Sequence, residues 1–114
     1  MSLRPPSAFR SEPDDDPLAA ALDFEIMAEK AGTHGRLLRR LDAALERLRA
    51  FDAGDETVAT SGPDRADLVA RAGEALWHLV IQRELMRLPG TARLMRDLDV
   101  PAEVRLAMGV RRLE

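Results

Sequence analysis

The feature that most constrains the fold is one helical phase that runs through the first half of the chain. Apolar residues recur there at α-helical spacing, and at about 100° per residue they stay within one stripe. The stripe contains Leu22, Ile26, Leu37, Leu41, Ala44, Leu45, Leu48 and Phe51. Because the phase is the same on both sides of Ala31–Gly35, the pattern predicts one continuous helix over 17–52. A kink near Gly32 is the alternative, since two glycines cost a helix about 2 kcal/mol relative to alanine.

The start of this helix is marked by three aspartates followed by a proline. Asp14, Asp15 and Asp16 precede Pro17. An aspartate accepts hydrogen bonds from the free N–H groups of the first turn, and proline is favoured at the first helical position. The sequence therefore predicts that the helix begins at Pro17. Residues 1–15, which are rich in proline and charge, are predicted to be a flexible tail.

A second helix is predicted over 63–88, introduced by Ser61 and Pro63 after a loop at 53–62. Its main apolar stripe contains Leu68, Val69, Ala72, Leu76, Leu79, Val80 and Met86. Its second half has another apolar face, formed by Trp77, Ile81, Leu85 and Leu88. A helix that is apolar on two sides is covered on two sides. We therefore expect Trp77, Ile81, Leu85 and Leu88 to be buried by the C-terminal segment or by a second copy of the chain.

Two short helices are predicted to follow, over 91–98 and 101–108. The first has Leu94, Met95 and Leu98 as its buried set, and the second begins with a proline and ends at Gly109. The predicted fold is all-α, a long helical hairpin with two short C-terminal helices that resembles a bundle. A single helical domain spans 16–109, and residues 110–114 form a charged C-terminal tail.

Composition excludes several classes of protein. The 114 residues include no cysteine, which excludes disulfides, thiol catalysis and thiolate metal sites. The longest uncharged run, Ala75 to Gln82, is far shorter than the ~20 residues that span a bilayer. The N-terminus has no apolar stretch of a secretory signal. The sequence therefore predicts a cytoplasmic protein without membrane contact, and the net charge of −3 argues against nucleic acid as the main partner.

Metal and catalytic motifs are weak. Glu74 and His78 are four residues apart, whereas bundle carboxylate sites use Glu-x-x-His pairs on two helices. The chain has only two histidines, and its glycines form no phosphate-binding loop. We therefore predict no catalytic residue, no cofactor and no metal ligand, and a protein that is not an enzyme.

Arginines form a ridge on the first predicted helix. Arg36, Arg40 and Arg47 lie within about 40° of one another on the helical wheel. The adjoining face has opposite charges at i, i+3 spacing, Arg39 with Asp42 and Glu46 with Arg49, as is usual on a solvated helix. A solvated face is the favoured interpretation, and an arginine-dependent nucleic-acid binder is the alternative.

The least ordinary residue is Arg83, which lies in line with Ala72, Leu76 and Leu79 on the second helix. A buried guanidinium needs a partner, and we expect the carboxylate of Glu25 or Glu29 to supply it. This predicts an internal polar cluster, comprising Glu25, Glu29, Lys30, Arg83 and Glu84. Its favoured role is an ion pair that fixes helix register, and a site for a small ligand or metal that includes His34 is the alternative.

Three short segments carry a resemblance to a known family. They are FEIMAEKAG at 24–32, WHLVIQRE at 77–84, and VPAEV at 100–104 with Met108-Gly109. Over roughly residues 20–109 the chain resembles a family of small uncharacterised bacterial proteins, found mainly in alphaproteobacteria and classed as a domain of unknown function. The resemblance implies no catalytic residue. It implies that the glycine segment at 31–35, QRE at 82–84 and VPAEV at 100–104 act together by packing on one another.

Taken together, these patterns favour a non-catalytic protein interaction or regulatory module that self-associates. The apolar surface of the two long helices exceeds what one copy can cover. A homodimer that forms a four-helix bundle is the simplest closed arrangement. A further protein partner is the other expectation.

Overall fold

The structure, a computed structural model, describes residues 16–60 and 62–109. The predicted tails at 1–15 and 110–114, and the predicted role of Ser61, lie outside the described residues. Across the described ranges the chain forms five α-helices and no strand, which confirms the all-α prediction. The helices are α1 (Pro17–Asp52), α2 (Glu56–Ala59), α3 (Arg65–Leu85), α4 (Thr91–Asp97) and α5 (Ala102–Leu106).

Helix α1 is continuous over 17–52, as predicted, with Gly32 and Gly35 inside it. Its N-terminus is capped by Asp16, whose Oδ1 accepts hydrogen bonds from the N–H groups of Leu18 and Ala19 at 3.2 Å each. This confirms the predicted start at Pro17. The described residues fall into two compact units, 16–32 and 33–109, and the division lies within α1.

The first unit buries none of its side chains. Every residue from Ala21 to Ala31 is exposed, and this includes Leu22 and Ile26, which the helical stripe had placed with the core. The periodicity therefore predicts the helix correctly but not its burial. A helical phase shows which residues share a face, whereas burial requires another element to cover that face.

The second unit contains the hydrophobic core. Leu41, Leu45 and Leu48 of α1 are fully buried, and they belong to one cluster with side chains from α3 and the C-terminal segment. These are Leu68, Ala72, Ala75, Leu76, Leu79, Val100 and Val104. The main stripe predicted for the second helix is thus the side that faces the core. Val69 and Val80 are only partly buried against it.

Helix α3 is shorter than predicted at both ends. It begins at Arg65 because Asp64 is its N-cap, with Asp64 Oδ1 accepting from the N–H of Asp67 at 2.8 Å. It ends at Leu85 because Arg87 adopts a left-handed backbone conformation, with φ of 56°. The N–H groups of Arg87 and Leu88 then bond to the carbonyls of Glu84 and Arg83, which is a Schellman motif.

The remaining boundaries differ slightly from the predictions. The segment expected to be a loop at 53–62 contains α2, which is capped by Asp55 through a 2.9 Å bond from the N–H of Thr57. Helix α4 ends one residue earlier than predicted. Helix α5 is shorter at both ends, because Pro101 is its N-cap rather than its first residue and Ala107 is its C-cap. Leu94, Met95 and Leu98 are partly rather than fully buried.

Candidate interaction surface

The largest group of exposed apolar side chains on one element lies at the start of α1. Leu18 is 79% exposed and Phe24 is 74% exposed, values close to those of an unfolded chain. We define the N-terminal apolar surface as Leu18, Leu22, Phe24, Ile26 and Met27, all of which are exposed. At about 100° per residue, Leu18, Leu22 and Ile26 lie on one side of the helix, and Phe24 and Met27 lie on the other side. Large groups of apolar side chains on a protein surface usually mark a contact with another molecule.

The interface predicted on the second helix is only partly accessible. Leu85 is 73% exposed and Leu88 is also exposed, whereas Ile81 is half-buried. Trp77 is 40% exposed, and its ring lies close to the backbone of Gly109, where an added Cβ would be 3.5 Å from Cε3. The chain end after α5 therefore covers part of the tryptophan. The rest of this face remains open in a single copy, and its burial by a second copy stays a prediction.

Arg83 is buried, with 9% of its surface exposed, and three neutral groups hold its guanidinium. Its Nε donates to Thr91 Oγ1 at 2.9 Å, and its Nη2 donates to the carbonyl oxygen of Pro89 at 2.7 Å. Its Nη1 lies 3.0 Å from His34 Nε2. Because a guanidinium has only donors, His34 accepts through Nε2. Arg83 therefore ties α1, α3 and the start of α4 together.

These contacts correct the prediction for the polar cluster. The partners of Arg83 are Thr91, His34 and the Pro89 carbonyl, and not the carboxylate of Glu25 or Glu29 that the sequence predicts. The side chains of Glu25, Glu29 and Lys30 are exposed, and so is Glu84. The carboxylate expectation was wrong because the turn after α3 brings a backbone carbonyl and a hydroxyl to the guanidinium. No sequence pattern encodes that geometry.

The arginine ridge is already in contact with other side chains. Arg40 Nη2 lies 3.4 Å from Glu74 Oε1, and Arg40 Nη1 lies 3.5 Å from His78 Nδ1. Arg36 donates to Thr33 Oγ1 at 3.0 Å. Glu74 and His78 thus share an arginine. Within the described residues no three His, Asp or Glu side chains lie close enough together to hold a metal ion.

An ion-pair network that the sequence did not indicate joins three helices of the second unit. Arg65 Nε donates to Asp52 Oδ1 at 2.7 Å, and Arg65 Nη1 donates to Glu103 Oε2 at 2.9 Å. Hydrogen bonds from Arg65 lower the pKa of both carboxyls, and these bonds in turn raise the pKa of Arg65. The three residues are far apart in sequence, so no local spacing could have revealed the network. It fixes the end of α1 to α3 and α5.

The chain surface also has an open depression beside α4 and α5. It has a volume of about 500 Å³ and is lined by Met95, Arg96, Asp99, Val100, Pro101 and Arg105. The depression is too open to exclude water from a small molecule.

Among the described helices, none is long and apolar enough to cross a bilayer.

Comparison with protein families gives a match that covers almost the whole sequence. Residues 1–112 match DUF6665, a family of unknown function. The chain belongs to the DUF6665 family. This confirms the resemblance to a domain of unknown function, and membership in DUF6665 assigns no activity to Arg83 or to the N-terminal apolar surface. No curated protein and no solved structure matches the chain.

Proposed function

We propose that this protein is a non-catalytic interaction module that self-associates as a homodimer through its N-terminal apolar surface. The observation that carries the proposal is the exposure of five large apolar side chains on the first turns of α1. Burying one such side chain contributes about 1.5–3 kcal/mol. A second copy of the chain can supply the cover that the first unit does not provide for itself.

The distribution of polar groups supports a binding role over a catalytic one. The buried cation, Arg83, is fully engaged by neutral partners that belong to the fold. Arg40 is engaged by Glu74 and His78, which leaves the arginine ridge less suited to phosphate. The predicted apolar face at Trp77, Leu85 and Leu88 offers a second area that a copy can cover.

Sedimentation velocity over a range of micromolar concentrations tests this proposal. We expect a concentration-dependent dimer for the wild-type chain and a monomer for the triple variant Leu22→Ser/Phe24→Ser/Met27→Ser. The matched control is Leu106→Ser, because Leu106 of α5 is 80% exposed and lies outside the N-terminal apolar surface. A wild-type chain that sediments as a monomer throughout, or a dimer that the triple variant leaves intact, contradicts the proposal.

The variant Leu85→Ser tests the predicted second area in the same experiment. If the α3 face contributes to the dimer, this substitution weakens association while leaving the circular dichroism spectrum unchanged. If it leaves association unchanged, the N-terminal apolar surface alone carries the contact, and the predicted interface on the second helix is wrong.

A further inference from the structure

One of the two sides of the N-terminal apolar surface is interrupted by carboxylates. On the helical wheel Glu29 lies between Leu18 and Leu22. Glu25 lies on the same side, about 20° from Leu18, and both glutamates are exposed. If this side packed on the same side of a second copy, four carboxylates would meet at the contact. Because like charges placed together weaken an interface, this side is unsuited to pairing with itself.

The other side has the spacing of a coiled coil and contains no charge. Ala20, Phe24, Met27 and Ala31 follow 4-3-4 spacing and lie within about 60° on the helical wheel. We call these four residues the Phe24 seam. Phe24 is 74% exposed and Met27 is 63% exposed, so the two large side chains at the centre of the seam are open to contact. Helices with this spacing pack against each other in pairs.

Two opposite charges border the Phe24 seam along one edge. Asp23 and Lys30 lie about 20° apart on the helical wheel, beside Met27, and both side chains are exposed. Ion pairs on one helix form between residues three or four apart, whereas these two residues are seven apart. Neither has an oppositely charged residue three or four positions away in α1. Each charge is therefore available to a second chain.

We infer that the Phe24 seam packs on the Phe24 seam of a second copy, with the two helices antiparallel. This rests on the proposed self-association and names the residues that carry it. In the antiparallel alignment, Phe24 lies opposite Met27 of the second copy, and a methionine sulfur makes favourable contacts with an aromatic ring. Ala20 lies opposite Ala31 at each end, where small side chains let the two helices approach closely.

The charges at the edge favour the antiparallel orientation. Asp23 then lies beside Lys30 of the second copy, and two-fold symmetry forms the same ion pair a second time, so the contact closes as a dimer. In a parallel pair each edge of the seam faces the opposite edge of the second helix, where Ala21 and Ala28 lie. Asp23 would then have no opposite charge beside it. All the residues of the antiparallel contact lie within 16–32, so the contact needs nothing from the second unit.

Serine variants on the two sides of α1 test which side forms the contact. In sedimentation equilibrium we expect Phe24→Ser/Met27→Ser to weaken the dimer by at least about tenfold, because two apolar side chains leave the interface. The matched control is Leu18→Ser/Leu22→Ser on the other side, which should change the dissociation constant by less than about twofold. A control that weakens the dimer as much as Phe24→Ser/Met27→Ser overturns the inference.

Charge exchange at the edge tests the orientation. Asp23→Lys and Lys30→Asp each turn both ion pairs into like-charge pairs, so each variant alone should dimerise at least about tenfold more weakly than the wild type. An equal mixture of the two variants should form a heterodimer, because opposite charges again lie side by side. Glu25→Lys makes the same change in net charge as Asp23→Lys but lies away from the seam, and it should not weaken the dimer.

The antiparallel orientation is wrong if the two single variants dimerise as well as the wild type, or if their mixture does not associate. It is also wrong if Glu25→Lys and Asp23→Lys have the same effect, because net charge rather than pairing would then account for the result.

Disulfide cross-linking gives an independent measurement, since the chain has no cysteine of its own. Ala20→Cys chains mixed with Ala31→Cys chains should form the mixed disulfide on mild oxidation, because the two positions lie opposite each other. Ala20→Cys chains alone should not form one, because the two copies of position 20 lie about 16 Å apart along the antiparallel pair, which is beyond the reach of a disulfide. A disulfide between two Ala20→Cys chains in place of the mixed one indicates a parallel pair and overturns the inference.

The two proposals fail in distinguishable ways. A monomeric wild-type chain refutes self-association itself. A wild-type dimer that withstands Phe24→Ser/Met27→Ser, or that the charge exchange does not weaken, leaves self-association in place and refutes only the antiparallel Phe24 seam as its contact.

Discussion

Gly73 of α3 lies so close to Ala107 that any side chain in its place would force one of the two segments to shift. A Cβ added to Gly73 would lie 2.9 Å from the carbonyl carbon and the carbonyl oxygen of Ala107. Gly73 is also buried, within a helix where glycine is otherwise unfavourable. The absence of a side chain here lets the end of α5 pack directly on α3.

We therefore expect Gly73→Ala to destabilise the protein by about 1–3 kcal/mol, because the added methyl group forces the two segments apart. Chemical denaturation measures this change. The matched control is Gly35→Ala in α1, where the new Cβ meets only the flexible end of Arg39, 3.4 Å away. That change should stabilise the protein by about 0.5–1 kcal/mol. Equal effects at the two glycines would contradict the close approach at Ala107.

Arg83→Met tests the neutral cluster around the guanidinium. Methionine keeps most of the apolar stem of Arg83 but has no hydrogen-bond donors. Thr91, His34 and the Pro89 carbonyl therefore each lose the hydrogen bond that they accept from Arg83. We expect a loss of about 2–4 kcal/mol in the free energy of unfolding. Arg93→Met, at an exposed position of α4, should change it by less than about 0.5 kcal/mol. A similar small effect for Arg83→Met would show that its hydrogen bonds add nothing net to stability.

The left-handed conformation of Arg87 predicts a stabilising substitution. An L-residue in this region costs roughly 1–2 kcal/mol, which glycine avoids. Arg87→Gly should therefore raise the free energy of unfolding by about 1 kcal/mol. Arg93→Gly, inside α4, should lower it by a similar amount, since glycine is unfavourable within a helix. A thermal melt of the two variants distinguishes these directions, and a destabilised Arg87→Gly chain would refute the strain at this position.

The Arg65 network predicts a loss of stability in acid. The hydrogen bonds from Arg65 lower the pKa of Asp52 and Glu103 in the folded chain. Their stabilising contribution is therefore present at neutral pH and is lost as the pH falls below about 4, through the folded pKa values. Glu103→Gln should lower the melting temperature at pH 7, and this difference should shrink toward acid.

The same network supplies its own control. In an Arg65→Met background, Glu103→Gln should no longer lower the melting temperature at any pH, because the carboxylate has lost its partner. If the effect of Glu103→Gln persists without Arg65, the stabilisation comes from another source than the ion pair.

Local signals predicted much of the fold. The three aspartates before Pro17 located the start of α1, and the constant helical phase predicted its passage through Gly32 and Gly35. The start of α1 and its continuity both depend on residues that lie within one or two helical turns of each other in the sequence. The end of α3 could not be predicted in this way, because its stop signal is a left-handed arginine rather than the glycine that usually marks such a position.

The candidate site was predicted less completely, because its contacts join distant parts of the chain. The helical wheel correctly indicated that Arg83 is buried, but its partners depend on how the turn at Pro89 folds back. The exposure of Leu22 and Ile26 could not be predicted from their phase, since the phase of a helix does not reveal whether anything covers it.

All the buried side chains among the described residues lie between Leu41 and Val104. Substitutions in the first four turns of α1 therefore do not change the packing that folds the rest of the chain. During evolution, this part of the helix is free to acquire a new specificity at little thermodynamic cost. The same segment is the natural place to graft a different recognition sequence.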